Sequence, residues 1–216
     1  MLPGSTNVYL CPNCSKSILQ WTLASANGIG AKYFSDGRVK APYFPETLRI
    51  TRCGDCGTIF WLDRESIVDE FEDDDFREED ARKSAHYQEY GIWAEELDKE
   101  GWVKAIQEKV YRNPKEEVYL RKKLLWCLND LFLVSYGILE TVNSTLYLEN
   151  ASNLIKVLED NSQKDLLLMA ELHRNLGDFE SCLEVLDQVT EPDLLPLAFA
   201  IFKKCNLKES KVFELS

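Results

Sequence analysis

Histidine is nearly missing from this chain: only His86 and His173 occur in 216 residues. No serine or cysteine stands near either in a nucleophile signature, which argues against a hydrolytic triad. Long apolar runs are missing too, and nothing approaches the roughly 18 to 20 residues a membrane span needs. The opening MLPGSTNVYLCP has no basic n-region, apolar h-region or small-residue cleavage site, so it does not read as a signal peptide. Gly28-Ile29-Gly30 has no G-x-x-G continuation and no helix signal after it, which removes it as a phosphate cradle. Positive charge is scarce, since 25 Lys and Arg face 37 Asp and Glu for a net −12. Such a chain approaching nucleic acid or an anionic membrane as a whole meets long-range repulsion.

What is present starts with cysteine. Four of the seven form two C-x-x-C pairs, CPNC at 11–14 and CGDC at 53–56. Two such turns supply four thiolates in a tetrahedron, a donor set that suits zinc at about 2.3 Å per bond. Iron is the alternative metal for the same ligands. With Cys11, Cys14, Cys53 and Cys56 all committed, no coordination position stays open, so the metal is expected to act in folding and not in catalysis. Gly54 and Gly57 are expected to give the second turn positive φ, and Lys16 and Arg52 to offset the thiolate charge. Metal-ligating thiols and an odd cysteine count fit a reducing, cytoplasmic setting better than a disulfide scaffold.

Charge and periodicity divide the chain near residue 62. Residues 1–62 carry six basic against three acidic side chains, whereas 63–80 alone carries eleven acids and two arginines. The reading is therefore residues 1–62 as one domain, 63–80 as an acidic linker or helix, and 81–216 as an α-helical domain. The first segment has strand and turn signals. AKYFSDGRVKA (31–41) reads as a hairpin around Asp36-Gly37, and TLRIT (47–51) and TIFWL (58–62) read as strands flanking the second cysteine pair. This β segment has few apolar residues, so a metal is expected to replace much of its core.

In the acidic run, Ile67, Val68 and Phe71 predict the start of a helix that loosens at Asp73–Asp75. Helical patterns continue through 77–90 and through Trp102, Ile106 and Val110. Asn113-Pro114 predicts an N-terminus, with Glu116 and Glu117 on the positive end of the dipole. Leu120, Leu124, Leu125, Leu128, Leu131 and Phe132 then give that helix one apolar face. Further helices are expected at 144–159, 163–176, 179–190 and 194–205. The fold class is α+β, predominantly α.

Two resemblances follow from these residues. CPNC and CGDCG between short strands resemble a zinc ribbon of the rubredoxin-like kind, over residues 9–60. That likeness implies one structural zinc per chain held by the four cysteines. Ser15 departs from it, standing where a glycine usually follows the knuckle. DLLLMAELHRNLGDFESCLEVLDQVTEPD (165–193) resembles a tetratricopeptide-type helical hairpin, with Gly177-Asp178-Phe179 at the turn and Ala170 and Cys182 at the close approach. His173 departs from it, standing where an aromatic residue is usual. The combination looks like uncharacterised bacterial zinc-ribbon proteins with helical C-terminal regions, which implies a cytoplasmic binding or adaptor role toward a protein partner and no defined reaction.

Other signals weigh toward packing. Cys127, Cys182 and Cys205 lie singly on apolar helical faces, as small core residues do. Trp93, Trp102 and Trp126 read as packing residues, and His173 as packed on the repeat-like face. One alternative function remains: Lys32, Tyr33, Phe34, Arg38, Lys40, Tyr43, Phe44 and Arg49 interleave cations with aromatics, a pattern that stacks bases and holds phosphates. The acidic run 63–80 reads as a solvated face, or as a segment that docks on a basic surface.

Overall fold

A computed structural model describes residues 2–44, 46–72, 78–134, 145–158 and 162–215. Its strands are β1 Leu2–Leu10, β2 Ser17–Ser25, β3 Lys32–Tyr33, β4 Val39–Lys40, β5 Ile50–Arg52, β6 Ile59–Trp61, β7 Ile67–Phe71 and β8 Ile92–Trp93. Its helices are α1 Glu78–Tyr90, α2 Lys99–Gln107, α3 Pro114–Val134, α4 Thr145–Val157, α5 Gln163–Asn175, α6 Phe179–Leu186 and α7 Leu195–Asn206. The fold is α+β with helices predominating. No described helix is long and apolar enough to cross a membrane.

The chain forms two compact units, Met1–Ala31 with Ala41–Ala105, and Lys32–Lys40 with Ile106–Ser216. In the first, four strands lie in the order β7-β1-β2-β8. β1 and β2 form an antiparallel hairpin with Leu10 opposite Ser17, and β5 and β6 form a second with Arg52 opposite Ile59. Each hairpin therefore presents a cysteine pair at its tip. Beneath the tips, Tyr9, Cys11, Ile18, Cys53 and Leu62 make a small buried cluster against Leu48, Phe60, Ile67 and Ile92.

The helix expected from Ile67, Val68 and Phe71 is instead a strand. After one 3-10 turn at Arg64–Ser66, β7 pairs antiparallel with β1, placing Thr6 opposite Phe71 and Val8 opposite Asp69. Ile67 is half-buried, Val68 exposed and Phe71 buried, a period of two. The edge of β1 satisfies the backbone of 67–71, and this long-range pairing overrides a weak local signal. Phe71 then stacks on Tyr87 of α1 with ring centroids 5.6 Å apart. The loosening expected at Asp73–Asp75 lies outside the described residues.

In the second unit the helices pack in succession, α3 on α4, α4 on α5, α5 on α6 and α6 on α7. Asn113 caps α3 by accepting from the Glu116 N–H at 3.0 Å. Leu120, Leu124, Leu125 and Leu128 bury its inner face, each contributing about 1.5–3 kcal/mol relative to exposure. The side chains of 131 and 132 lie outside the described residues. Ala170 and Cys182, both wholly buried, let α5 and α6 approach closely over a cluster shared with Ile201 and Cys205 of α7.

The β3–β4 hairpin, read from sequence as part of the ribbon, groups with these helices. Polar side chains hold it there. The buried Asp36 carboxylate accepts from the Asn129 amide at 2.8 Å, and its carbonyl accepts from the Trp126 indole N–H at 3.2 Å. Ser35 donates to Glu171 at 2.6 Å. The segment after α7 runs along the hairpin as well: the Leu215 N–H donates to the Tyr33 carbonyl, and Ser35 and Phe213 exchange two bonds.

Candidate metal centre

The two cysteine turns have the same backbone wiring. In the first, the Cys11 N–H donates to the Lys16 carbonyl and the Ser15 N–H to the Cys11 carbonyl, both at 2.9 Å. In the second, the Cys53 N–H donates to Thr58 and the Gly57 N–H to Cys53, again at 2.9 Å. Such a turn ends in left-handed backbone, so Ser15 takes φ +60° and Gly57 takes φ +74°. Gly57 accepts that conformation freely, whereas Ser15 carries a Cβ through it at a cost of about 1 kcal/mol.

Gly54 corrects the expectation for the second turn: only Gly57 there has positive φ. Gly54 answers a different need. A Cβ at that position would lie 3.3 Å from the Ile92 side chain, so its lack of a side chain lets β8 lie against the knuckle.

These turns bring together the four sulfurs named from the sequence. Cys11 Sγ lies 3.5 Å from Cys56 Sγ, and Cys14 Sγ lies 3.6 Å from Cys53 Sγ. All four are within 4.8 Å of one another. A tetrahedron with 2.3 Å metal–sulfur bonds has edges of about 3.8 Å, whereas a disulfide needs about 2.05 Å. The cysteines are unbridged, and their spacing is that of ligands round one ion. Cys11 and Cys53 are buried, and Cys14 and Cys56 reach the surface. The donor set therefore fits a soft or borderline metal ion.

Without a cation, Cys14 and Cys56 hold their protons very differently. Thr58 lies 3.3 Å from Cys56 Sγ, and its hydroxyl and N–H pull that thiol down to about 5. Cys14 is pulled down by the Lys16 N–H, but loss of solvent and three neighbouring sulfurs together push it up to about 12. A bound dication supplies the missing positive charge and displaces the remaining protons. Arg52, expected to offset the thiolate charge, has its guanidinium 3.4 Å from Asp98. Thr58 and Ile92 are the neighbours that sequence reasoning missed, because neither belongs to a spacing pattern.

The other candidates lie apart from these sulfurs. Cys182 and Cys205 are buried, and burial raises the Cys182 thiol. The Cys205 thiol donates to the Phe179 carbonyl, and Cys127 is half-buried in α3. His86 is exposed between Tyr87 and Tyr90, and His173 lies 3.1 Å from Asp178. Ile29 is exposed on the turn closed by Gly28. Trp102 is buried as expected and Trp126 half-buried, but Trp93, read as a packing residue, is exposed on β8. Of the interleaved cations, Lys32 pairs with Glu214, and Arg38 and Lys40 share Asp130. Comparisons with protein families, with curated proteins and with solved structures found no match to this chain.

Proposed function

We propose that this chain is a non-catalytic interaction protein whose first unit is a zinc ribbon closed by one structural zinc ion. The observation that carries the reading is the closed set of four thiols, two of them buried in the small apolar cluster of that unit. A tetrahedral ion held by four protein sulfurs has no position left for water or substrate, so its contribution is to stability. Structural zinc contributes about 10–16 kcal/mol of apparent binding energy in small peptides. The three buried members that are not in the thiol set, Tyr9, Ile18 and Leu62, supply about 1.5–3 kcal/mol each, so the ion is the larger contribution to this unit.

The helical unit supplies a scaffold, and α5–α6 supports a tetratricopeptide-like reading through Ala170 and Cys182 at the crossing. Unbridged cysteines throughout favour a reducing, cytoplasmic compartment. A protein partner is preferred to nucleic acid because Lys32, Arg38 and Lys40, the cations on which a phosphate-binding face would depend, are ion-paired. Affinity capture with the tagged full chain tests this. Partner protein retained after nuclease treatment supports the reading, and recovery that vanishes with nuclease refutes it. Elemental analysis separates zinc from iron, with about one zinc per chain expected.

A further inference from the structure

The outer edge of β2 is covered for only part of its length. Among the described residues β8 pairs with Ile18 and Leu19 alone, and the Ala94 N–H donating to the Leu19 carbonyl at 2.7 Å is the last rung. The chain then turns off toward β5, because the Thr51 hydroxyl takes both backbone groups of Glu95: it donates to the carbonyl at 3.0 Å and accepts from the N–H at 3.1 Å. From Trp21 onward, β2 has β1 on one side and no described strand on the other.

A slot of about 230 Å³ lies at the place where β8 leaves. Trp21, Leu23, Leu48 and Ala94 wall it. Gln20 lines it too, and successive residues of a strand point to opposite faces, so an opening lined by both Gln20 and Trp21 lies along the strand's edge. The slot is built rather than accidental. Gln20 is buried and holds the wall in place, donating to the Leu48 carbonyl at 2.5 Å while accepting from the Tyr9 hydroxyl at 3.1 Å. Trp21 is half exposed beside it.

We propose that this edge takes an extended peptide of another protein as an added strand, with one aliphatic or aromatic side chain in the slot and a lysine or arginine beside it. Main-chain bonds to Trp21 and Leu23 supply affinity, and the slot selects the side chain. An unpaired edge is a template for this pairing. The basic residue follows from charge: Glu46 and Glu96 lie at the slot, and the unit that contains it carries eighteen acids against nine Lys and Arg. The proposal rests on the interaction reading above and names the class of partner.

The test uses the zinc-loaded full chain against a displayed library of random linear peptides of about ten residues. Enriched peptides are expected to share an apolar residue next to Lys or Arg, and to quench or shift Trp21 fluorescence. Leu23→Arg, with zinc content and circular dichroism unchanged, is expected to weaken a synthetic enriched peptide at least about tenfold. N-methylation of one alternate set of peptide amides should cost about as much, and methylation of the other set little, because only alternate N–H groups face the strand. No enrichment over the Leu23→Arg chain overturns the proposal, as does equal loss from both methylation patterns. Concentration-dependent dimerisation abolished by Leu23→Arg would assign the edge to a second copy and equally overturn it. If captured partners persist with Leu23→Arg, the interaction reading stands and this edge is not its site.

Discussion

Ser15 and Gly57 hold the same place in the two cysteine turns, each donating its N–H to the first cysteine of its pair from left-handed backbone. The pair forms an internal comparison, since one residue suits that φ and the other does not. Ser15→Gly should therefore raise stability by about 0.5–1 kcal/mol, less the extra freedom glycine gives the unfolded chain. Gly57→Ser should lower it by about 1 kcal/mol. Denaturant midpoints of the zinc-loaded chain, at unchanged m-value, check both.

Removing the metal should act on the first unit as a whole. Cys53→Ser deletes a buried thiol of the cluster, and a chelator competes for any ion the parent holds. Both should abolish the roughly one-to-one zinc content and raise protease sensitivity within the first unit. Cys127→Ser, in the helical unit and outside the four-thiol cluster, should retain full zinc. A Cys53→Ser chain that keeps its zinc or its protease resistance would refute the structural assignment.

The tie between β7 and α1 should depend on pH. Asp69 accepts from the Lys83 ammonium and the Tyr87 hydroxyl, both at 3.0 Å. Partial burial pushes its carboxyl up, but the bonds from Lys83, the Glu70 N–H and Tyr87 outweigh it and hold the group below its usual range. A carboxyl lowered on folding stabilises above its unfolded value, near 3.9, and that stabilisation is lost as pH falls through the folded value. Asp69→Asn should cost about 0.5–1 kcal/mol at pH 7. Its difference from the parent should close below about pH 4, as read from denaturation at several pH values.

The buried Glu171–Arg174 pair should show strong coupling. Both side chains are wholly buried, with Arg174 Nη2 at 2.5 Å from Glu171, which also accepts from Ser35 and from Asn175. Arg174 further donates to the carbonyls of Glu209 and Lys211. Arg174→Leu strands a buried carboxylate and should cost about 3–5 kcal/mol, much of it recovered by adding Glu171→Leu. Deleting 209–216 should also be destabilising, because it removes the carbonyls of Glu209 and Lys211 from Arg174 and that of Ser210 from the Asn175 amide, leaving both with Glu171 alone among these partners. Thermal denaturation of these variants and a double-mutant cycle check the order.

The four clustering cysteines and the helices from α3 onward were legible in the sequence, and for a common reason. C-x-x-C spacing and a period of 3.6 are local patterns, and so is the Asn113-Pro114 start. What escaped depended on distant partners. Residues 67–71 took an extended form only because β1 offered its edge, and Ile92–Trp93 became a strand only against Ile18 and Leu19. Glu171 and Arg174, three apart on a helix, have the spacing of an ordinary solvated ion pair. Nothing local announced that Ser35 and residues 209–213 would cover them. The grouping of 32–40 with the helices was hidden similarly, since the turn signal at Asp36-Gly37 says nothing about where a hairpin packs.

That grouping has a consequence for synthesis. The hairpin leaves the ribosome 93 residues before Asn129, the partner of Asp36, and 136 residues before Glu171, the partner of Ser35. At about 5–20 residues per second, the wait for Glu171 is roughly 7–27 s. Cys14 and Cys53 are only 39 residues apart, so the thiols can meet an ion while the hairpin's helices are still being translated. Changing codon-dependent elongation speed between residues 40 and 171 should therefore alter the yield of the helical unit more than the yield of loaded metal.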